Sequence, residues 1–298
     1  MEGLTVGSVI ASAIGSSALS LIYARRVRML WDLLPFTGGH WLAKIWTYGG
    51  GPAGIVTACV RGDTGRRDLP EREVAAAAEV YHYLRSRNGN VFGDSPTDQP
   101  LYGWVNTPPE VLNRPLLAII GGPMNNRVAA SFLVEFQRQY PAFPLSAKLY
   151  RVGNERDAIP LDRVDYGAIG ENHERRDVVA RSELEQFIEM ALPGAQPRKW
   201  EPGQRKGTGA PVKPDRFDFS LVLRCRMPAT GSKQVVVYAA GSSAASTYGA
   251  VRALLTPKEC EKLARRTSAN GVGAVVETHV VGHYAQWSRV IEDSVCPI

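Results

Sequence analysis

Short apolar runs alternate with segments of helical periodicity from residue 55 onward. Unbroken apolar runs are typical of buried strands, and apolar residues three and four positions apart are typical of helices that pack on a sheet. The pattern predicts strands at 55–60, 116–120, 166–169, 217–226, 234–239 and 272–281. It predicts helices at 70–87, 128–140, 182–192, 247–255 and 256–266.

This alternation predicts an α/β fold, a layered sheet that is mostly parallel with helices on both faces. Ser182 with Glu185, and Thr256 with Glu259, form capping boxes, and each box predicts the start of a helix. The strands at 217–226 and 234–239 are separated by a turn-like segment. They are interpreted either as an antiparallel hairpin or as adjacent members of the sheet.

The N-terminus predicts a hydrophobic helix ahead of this domain. Residues 3–24 carry no charged side chain, and a helix of that length rises about 33 Å, enough to cross a hydrocarbon core of about 30 Å. Small residues recur every fourth position, at Ser8, Ser12, Ser16 and Ser20, which favours close packing of membrane helices and hence a homo-oligomer. Two alternatives stay open, a packed helix of a soluble protein and a cleaved signal peptide.

The flanking charge predicts the orientation and the domain boundaries. Arg25, Arg26 and Arg28 follow the apolar segment, so the positive-inside rule places the rest of the chain in the cytoplasm. We expect a transmembrane helix at 1–28, a juxtamembrane linker rich in aromatic residues and glycine at 29–54, and the α/β domain at 55–298. The aromatic residues of the linker, Trp46 among them, are expected at the membrane headgroups.

The charge is distributed unevenly over the 298 residues. Lys and Arg number 35 against 29 Asp and Glu, a formal net charge of +6. A Pro- and Gly-rich segment at 194–216 concentrates this excess and predicts a flexible basic loop, either a solvated linker or a surface for anionic lipid. No zinc-finger or helix-turn-helix pattern accompanies it, so nucleic acid is not an expected partner.

Chemistry-bearing residues outside the loops give weak patterns. Four separated cysteines, without a CxxC pair, predict reduced packing residues. Glu277, His279 and His283 alternate along a predicted strand but supply too few ligands, so neither a metal nor a cofactor is predicted. The triplet that begins at Asp63 is similar to the Asp-Thr-Gly of aspartic proteases, but no second copy supplies the partner carboxylate.

Three glycine-rich loops each join a predicted strand to a predicted helix. They contain Gly62, Asp63, Thr64 and Gly65; Gly121, Gly122, Asn125 and Asn126; and Gly241, Ser242, Ser243, Thr247 and Gly249. Loops at the carboxyl ends of parallel strands meet at one edge of a sheet, where helix N-termini favour an anion. We therefore expect these residues to bind a phosphate-bearing or nucleotide-like small molecule. The alternative is that they only form turns and helix caps, because no known nucleotide fingerprint is present.

The second and third loops carry a family resemblance. Ile119-Ile120-Gly121-Gly122-Pro123-x-x-Asn126, followed later by Ala240-Gly241 and Thr247-Tyr248-Gly249-Ala250, is similar to a family of uncharacterised prokaryotic Rossmann-like α/β proteins over residues 55–290. The chain departs from that pattern at 242–245, where no aromatic residue or His precedes Thr247. The resemblance implies a domain and a site location, and it carries no activity.

These features predict a membrane-anchored cytoplasmic sensor or effector that binds a small anionic ligand. A hydrolase or transferase that acts on a nucleotide-like substrate in the same pocket is the first alternative, with Asp63 as a base or ribose contact. A structural, self-assembling protein is the second. A buried Asp63 would favour the enzyme, and an exposed one would favour binding alone.

Overall fold

The computed structural model describes the sheet, its helices and the C-terminal quarter of the chain. The described residues are 34, 37–46, 53–58, 60–61, 67–68, 71–88, 102–103, 107, 109–123, 126–151, 154–159, 184–190, 215–227 and 234–298.

The helices and strands occupy most of these ranges. The helices are α1 (Gly38–Trp46), α2 (Glu71–Asn88), α3 (Pro109–Leu112), α4 (Arg127–Gln139), α5 (Ala244–Leu254) and α6 (Pro257–Arg265), with one 3-10 turn at Glu292–Ser294. The first strands are β1 (Ala53–Thr57), β2 (Val60–Arg61), β3 (Arg67–Asp68), β4 (Tyr102–Gly103), β5 (Leu116–Ile120), β6 (Leu145–Arg151) and β7 (Asn154–Ile159). The later strands are β8 (Leu184–Met190), β9 (Asp215–Met227), β10 (Gln234–Gly241), β11 (Gly271–Val281), β12 (Tyr284–Val290) and β13 (Cys296–Pro297).

The main sheet has eight strands in the order β12-β11-β9-β10-β5-β1-β4, with β13 paired to β11. Its β4, β1, β5 and β10 run parallel, and β9, β11, β12 and β13 are joined to the sheet by antiparallel pairs. The small sheets β2-β3 and β7-β6-β8 are antiparallel as well. The prediction of a mostly parallel sheet is therefore wrong, because the sheet is mixed and mostly antiparallel.

Short connections are the physical cause of this difference. Only residues 228–233 separate β9 from β10, and a parallel crossover needs about a dozen residues or more, so the two strands form the antiparallel hairpin. The strands β11 and β12 are joined through Gly282 and His283, and Gly282 adopts a φ of +60°. The sequence pattern predicted a single closing strand here and missed β12.

One predicted helix is a strand in the structure. Residues 184–190 form β8, which pairs antiparallel with β6, although Ser182 and Glu185 form a capping-box pattern. Strand pairing has overridden the local capping preference at this segment. The strand predicted at 166–169 lies outside the described residues.

Helices cover both faces of the main sheet. On one face, α1, α2, α5 and α6 pack on strand residues such as Ile55, Leu116 and Val237. On the other face, α4 packs on the neighbouring positions Val56, Leu117 and Val236. Successive side chains of each strand point to opposite faces of the sheet, so an apolar layer forms on each face.

Helix α1 belongs to the first of these layers. Trp46 is 4% exposed, and its Nε1 donates a hydrogen bond to the Leu254 carbonyl at 2.8 Å. The expectation that this ring lies at membrane headgroups is wrong, because it fills the core beside α5. In the described part of the chain no helix has the length and apolar character needed to cross a membrane. The span predicted at 3–24 lies outside that part.

Candidate functional site

The strand order reverses between β1 and β5. The chain continues from β1 through α2 to β4 on one side of β1, and then passes through α3 to β5 on the other side. The carboxyl ends of β1, β5 and β10 lie side by side, because Ala58 N donates to the Ile120 carbonyl at 3.1 Å and Gly121 N donates to the Ala239 carbonyl at 2.9 Å. Such a reversal is the place where open α/β sheets bind ligands.

The helices that follow β1 and β5 separate at this point. Helix α2 packs on one face of the sheet through Ala76, Ala77 and Val80, whereas α4 packs on the opposite face through Ala129 and Leu133. The starts of the two helices therefore lie on opposite faces of the sheet, beyond the ends of β1 and β5. We call this place, bounded by Ala58, Gly121 and the first turns of α2 and α4, the β1–β5 crevice.

Gly121 allows the chain to turn closely at the crevice. It adopts a φ of +102°, and a Cβ at this position would lie 2.8 Å from Ala58 Cβ and 3.1 Å from Glu73 Oε1. Glycine is required here on both conformational and steric grounds. The carboxylate of Glu73, which is 5% exposed, therefore lies directly against the turn.

The first turn of α4 supplies the opposite charge. Asn126 is 0% exposed; its Oδ1 accepts from Ala129 N at 3.2 Å and its Nδ2 donates to the Ile120 carbonyl at 3.2 Å. Arg127 is exposed at the first helical position. A cation is electrostatically unfavourable at the positive end of a helix, because the two positive charges repel each other. The Arg127 side chain and the N-terminus of α4 together make this side of the crevice attractive to an anion.

Only some residues of the first two predicted loops belong to the described part of the chain. Gly121, Gly122 and Asn126 lie at the crevice, but Asn126 acts as a helix cap that ties α4 to the end of β5. Gly62, Asp63, Thr64, Gly65 and Asn125 lie outside the described residues. The burial of Asp63, which would separate binding from catalysis, is thus not among the described features.

The third loop lies beside the crevice, at the carboxyl end of β10, and its polar atoms bond to one another. Ser243 caps α5 by accepting from Ser246 N at 3.1 Å, and its hydroxyl donates to Asp218 Oδ2 at 2.5 Å. Thr247 Oγ1 accepts from Gly241 N at 3.0 Å, and Ser242 N donates to the Phe219 carbonyl at 3.0 Å. These bonds support the turn-and-cap interpretation of the loop.

Gly249 serves helix packing. A Cβ on it would lie 2.3 Å from Thr278 Oγ1 and 2.4 Å from Ser288 Oγ, so α5 approaches β11 and β12 to a distance that only glycine permits. Gly249 therefore lies against the face of the sheet, whereas Gly241 and Ser243 lie at the carboxyl end of β10.

Sequence reasoning missed two residues of the crevice. Glu73 lies within the helix predicted at 70–87 and Arg127 directly precedes the helix predicted at 128–140, but neither is among the candidate residues of the three loops. A positive charge at the start of a helix that follows Gly-Gly-Pro is the signal that could have identified Arg127. Nothing in the sequence alone brings Glu73 to Gly121, because that contact depends on the order of β1 and β5.

His279 takes part in an aromatic cluster. Its ring lies 5.1 Å from that of Phe217 and 5.5 Å from that of Trp287, between centroids, and its Nε2 contacts the Asp215 carboxylate. Glu277 instead accepts from Arg289 Nε at 2.7 Å. Within the described ranges no three His, Cys, Asp or Glu side chains converge in a way that would hold a metal ion.

Burial controls the titration of the described cysteines. It raises the pKa of the Cys225 and Cys260 thiols far above the usual range, so both remain neutral at physiological pH. The thiols of Cys225, Cys260 and Cys296 are free. A neutral, buried thiol is a packing group and a poor nucleophile.

One groove lies away from the crevice, beside α6. It encloses about 380 Å³ and is lined by Lys258, Glu261, Lys262, Arg265, Arg266, Glu292 and Val295. Lys262 pairs with Glu259 at 2.9 Å and Arg265 pairs with Glu261 at 2.5 Å, so much of its positive charge is neutralised within the protein. Two of the four cations that line the groove thus have a carboxylate partner.

Comparison with known proteins assigns the chain to no family. No family model, curated protein or solved structure matches the chain.

Proposed function

We propose that this protein is a membrane-anchored sensor or effector whose cytoplasmic α/β domain binds a phosphate-bearing, nucleotide-like small molecule in the β1–β5 crevice. The observation that carries the proposal is the reversal of strand order between β1 and β5, which places α2 and α4 on opposite faces of the sheet. Ligands of open α/β sheets bind at such reversals.

The charges of the crevice support a ligand that has two kinds of polar group. The start of α4, with Arg127 exposed at its first position, suits a phosphate. The buried carboxylate of Glu73 suits a hydrogen-bond donor such as a sugar hydroxyl. A nucleotide-like molecule offers both groups in one structure, whereas inorganic phosphate offers only the first.

The test is calorimetric titration of the full chain with nucleotides, dinucleotides and sugar phosphates. We expect one class of compound to bind saturably, and Glu73→Gln to weaken it about tenfold or more, because a hydrogen bond to a charged acceptor is lost. Glu71→Gln is the matched control, since Glu71 is exposed in the same first turn and carries the same charge.

Two results would overturn the proposal. One is the absence of binding across the whole panel; the other is a bound ligand whose affinity is the same in the wild type, in Glu73→Gln and in Arg127→Gln. A loss of affinity that is equal for Glu71→Gln and Glu73→Gln would show a general charge effect and would also count against the crevice.

An enzyme is the second candidate function, and the burial of Glu73 beside Gly121 favours it. A buried carboxylate in a ligand crevice is a common general base of hydrolases and transferases. Product analysis of each bound compound separates the two functions. If a reaction occurs, Glu73→Gln is expected to lower turnover at saturating ligand by about a hundredfold or more, in addition to its effect on affinity.

The membrane anchor is the part of the proposal that rests on residues 3–24 alone. Their uncharged composition and length suit one span, followed by the basic flank at 25–28. The full chain is expected to float with liposomes at high salt, and Ile14→Arg is expected to leave it in the soluble fraction. Flotation that persists in Ile14→Arg would contradict the span.

A further inference from the structure

The strands β9, β11 and β12 extend beyond the carboxyl end of β10. The last pair between β9 and β10 is Ser220 with Gly241, whereas residues 215–219 of β9 pair with β11 alone among the described strands. This extension is about 16 Å long, at about 3.3 Å per residue. It ends at the turn between β11 and β12, and we call it the arm.

One face of the arm is covered and the other exposes aromatic rings. Gly249 of α5 lies against Thr278, so this helix packs on the first face. On the opposite face Phe217, His279 and Trp287 are cross-strand neighbours, with ring centroids between 5.1 and 5.8 Å apart. Phe217 is 53% exposed and Trp287 41%, and we call these three residues the aromatic face.

The tip of the arm adds further exposed apolar groups. Val281 and Tyr284, on either side of the turn, are 40% and 60% exposed. With Phe217 and Trp287 they make up four of the five large apolar side chains that are exposed in the described ranges. Exposed apolar groups that cluster in this way mark an interaction surface.

Arginine side chains lie beside two of these rings. The Arg289 guanidinium lies 5.4 Å from the centroid of the Trp287 ring, and the Arg72 guanidinium lies 4.1 Å from that of Tyr284. An amphipathic ring with a guanidinium beside it suits the headgroup region of a bilayer, because the ring has apolar neighbours there and the guanidinium can bind phosphate.

The charge near the tip favours an anionic partner. Within the arm the carboxylates have neighbours of their own, since Glu277 pairs with Arg289 and Asp215 contacts His279. Asp215 pairs with Val281, so β9 starts at the tip and the basic segment at 194–216 reaches the arm there. The last twelve residues of that segment carry one anion, Asp215, and four cations, which are Arg205, Lys206, Lys213 and Arg216.

We propose that the arm docks on the surface of an anionic lipid bilayer, with the aromatic face and the tip in the headgroup region. Exposed aromatic side chains next to clustered cations are the usual composition of such a contact. The choice of a lipid surface rests on the membrane association in the proposed function, and it is independent of the ligand in the β1–β5 crevice.

A bilayer fits these features better than a nucleic acid does. Bases stack on the free faces of aromatic rings along a groove that tracks the phosphate backbone. The rings of the aromatic face instead contact one another, and Val281 offers no ring at all. An aliphatic side chain at the tip of a hairpin suits the boundary between headgroups and acyl chains.

The test is vesicle co-sedimentation of the full chain that carries Ile14→Arg, which disrupts the proposed span and leaves the arm intact. We expect this protein to bind vesicles that contain phosphatidylglycerol at low salt, and to bind phosphatidylcholine vesicles at least about tenfold more weakly. Adding Trp287→Ser should raise the lipid concentration at half-maximal binding about tenfold or more. Gln286→Ser is the control, since Gln286 is exposed on the same strand and has no ring.

A matched pair of arginines tests the charge at the arm. Arg289 and Arg138 are both exposed, at 61% and 73% of the side chain, and each pairs with one carboxylate. Arg289→Gln is expected to weaken binding to anionic vesicles about fivefold, and Arg138→Gln, on α4, is expected to have little effect. Thermal unfolding shows that each variant folds.

Three results would overturn the proposal. One is that the Ile14→Arg protein does not bind anionic vesicles at low salt, even where the wild type floats at high salt and the span itself stands. Another is binding that Trp287→Ser leaves unchanged or that Arg289→Gln and Arg138→Gln weaken equally. The third is binding of single-stranded DNA, sensitive to Trp287→Ser, in place of vesicle binding.

Fluorescence quenching locates the contact without removing the ring. Trp287→Phe keeps an aromatic side chain on the aromatic face and is expected to bind anionic vesicles nearly as well as its parent. Quenching of tryptophan emission by brominated lipid should nevertheless fall, because Trp287 no longer emits from the headgroup region. Quenching that is the same in Trp287→Phe and its parent would show that other tryptophans alone meet the bilayer, and would contradict docking through the arm.

Discussion

The side chain of Asn126, a predicted ligand residue, forms hydrogen bonds with the backbone of the protein. Its side chain is fully buried and bonds to the backbone at two points, Ala129 N and the Ile120 carbonyl. We expect Asn126→Ala to lower the free energy of unfolding by about 2 kcal/mol, because a cap is lost and a buried carbonyl loses its donor. Urea unfolding measures this loss.

The control for this change is Asn113→Ala, since Asn113 is exposed just after α3. It is expected to change stability by less than about 0.5 kcal/mol. An equally small effect of Asn126→Ala would show that its two bonds contribute little and would reopen a ligand role for this amide.

Tyr248 gives a stability contribution that depends on pH. Its hydroxyl donates to Glu79 Oε1 at 2.5 Å, and this hydrogen bond, with partial burial, raises the pKa of Tyr248 above its usual value of 10.0. A raised pKa means that the neutral phenol is stabilised in the folded state. The contribution is therefore fully present below the unfolded pKa and is lost as the pH rises through the folded pKa.

Tyr248→Phe is accordingly expected to lower stability by about 1 kcal/mol at pH 7, a value reduced for the partial exposure of the pair. The difference between the two proteins should shrink once the pH passes well above 10, where the tyrosine of the folded wild type also ionises. Urea midpoints measured for both proteins from pH 7 to 11.5 check this. A difference that stays constant over the range would contradict the assignment.

At the scale of elements, the approach of α5 to the sheet depends on Gly249. Alanine would normally favour a helix interior, yet its Cβ would lie 2.3 Å from Thr278 Oγ1. We expect Gly249→Ala to destabilise the protein by about 1–3 kcal/mol through overpacking. Thermal or urea unfolding gives the value.

The matched variant for this prediction combines Gly249→Ala with Thr278→Ala and Ser288→Ala, which removes the atoms that the new Cβ would meet. Part of the lost stability should return relative to the Thr278→Ala and Ser288→Ala double variant. If Gly249→Ala costs the same in both backgrounds, the close approach of α5 to β11 and β12 is not its cause.

Elements with strong local patterns could be predicted from the sequence, and their pairing could not. The apolar run of β5 and the periodicity of α4 predicted these elements to within a residue at each end. The direction of β9 and the existence of β12 depend on short turns, and β8 depends on a partner distant in the sequence. Local propensity does not contain that information.

The same limit applies to the candidate site. The sequence predicted three loops at one sheet edge, and the ends of β1, β5 and β10 do lie side by side. It did not predict that Ser243 and Thr247 would be used in a cap, or that Glu73 would meet Gly121. These contacts follow from tertiary packing, which sets the neighbours of each side chain.

At the scale of the whole molecule, the first turn of α2 contacts two separate parts of the main sheet. Glu73 lies at the β1–β5 crevice, and the neighbouring Arg72 guanidinium lies 4.1 Å from the centroid of the Tyr284 ring on β12. The same helix turn therefore contacts both the proposed ligand site and β12.

Hydrogen–deuterium exchange of the full chain, with and without each compound of the ligand panel, tests the central claim most directly. A ligand in the β1–β5 crevice is predicted to slow exchange in peptides that cover 58–73 and 120–130, with little change at 241–250. Exchange that no compound alters, or protection confined to other segments, would contradict a binding site at the reversal of strand order.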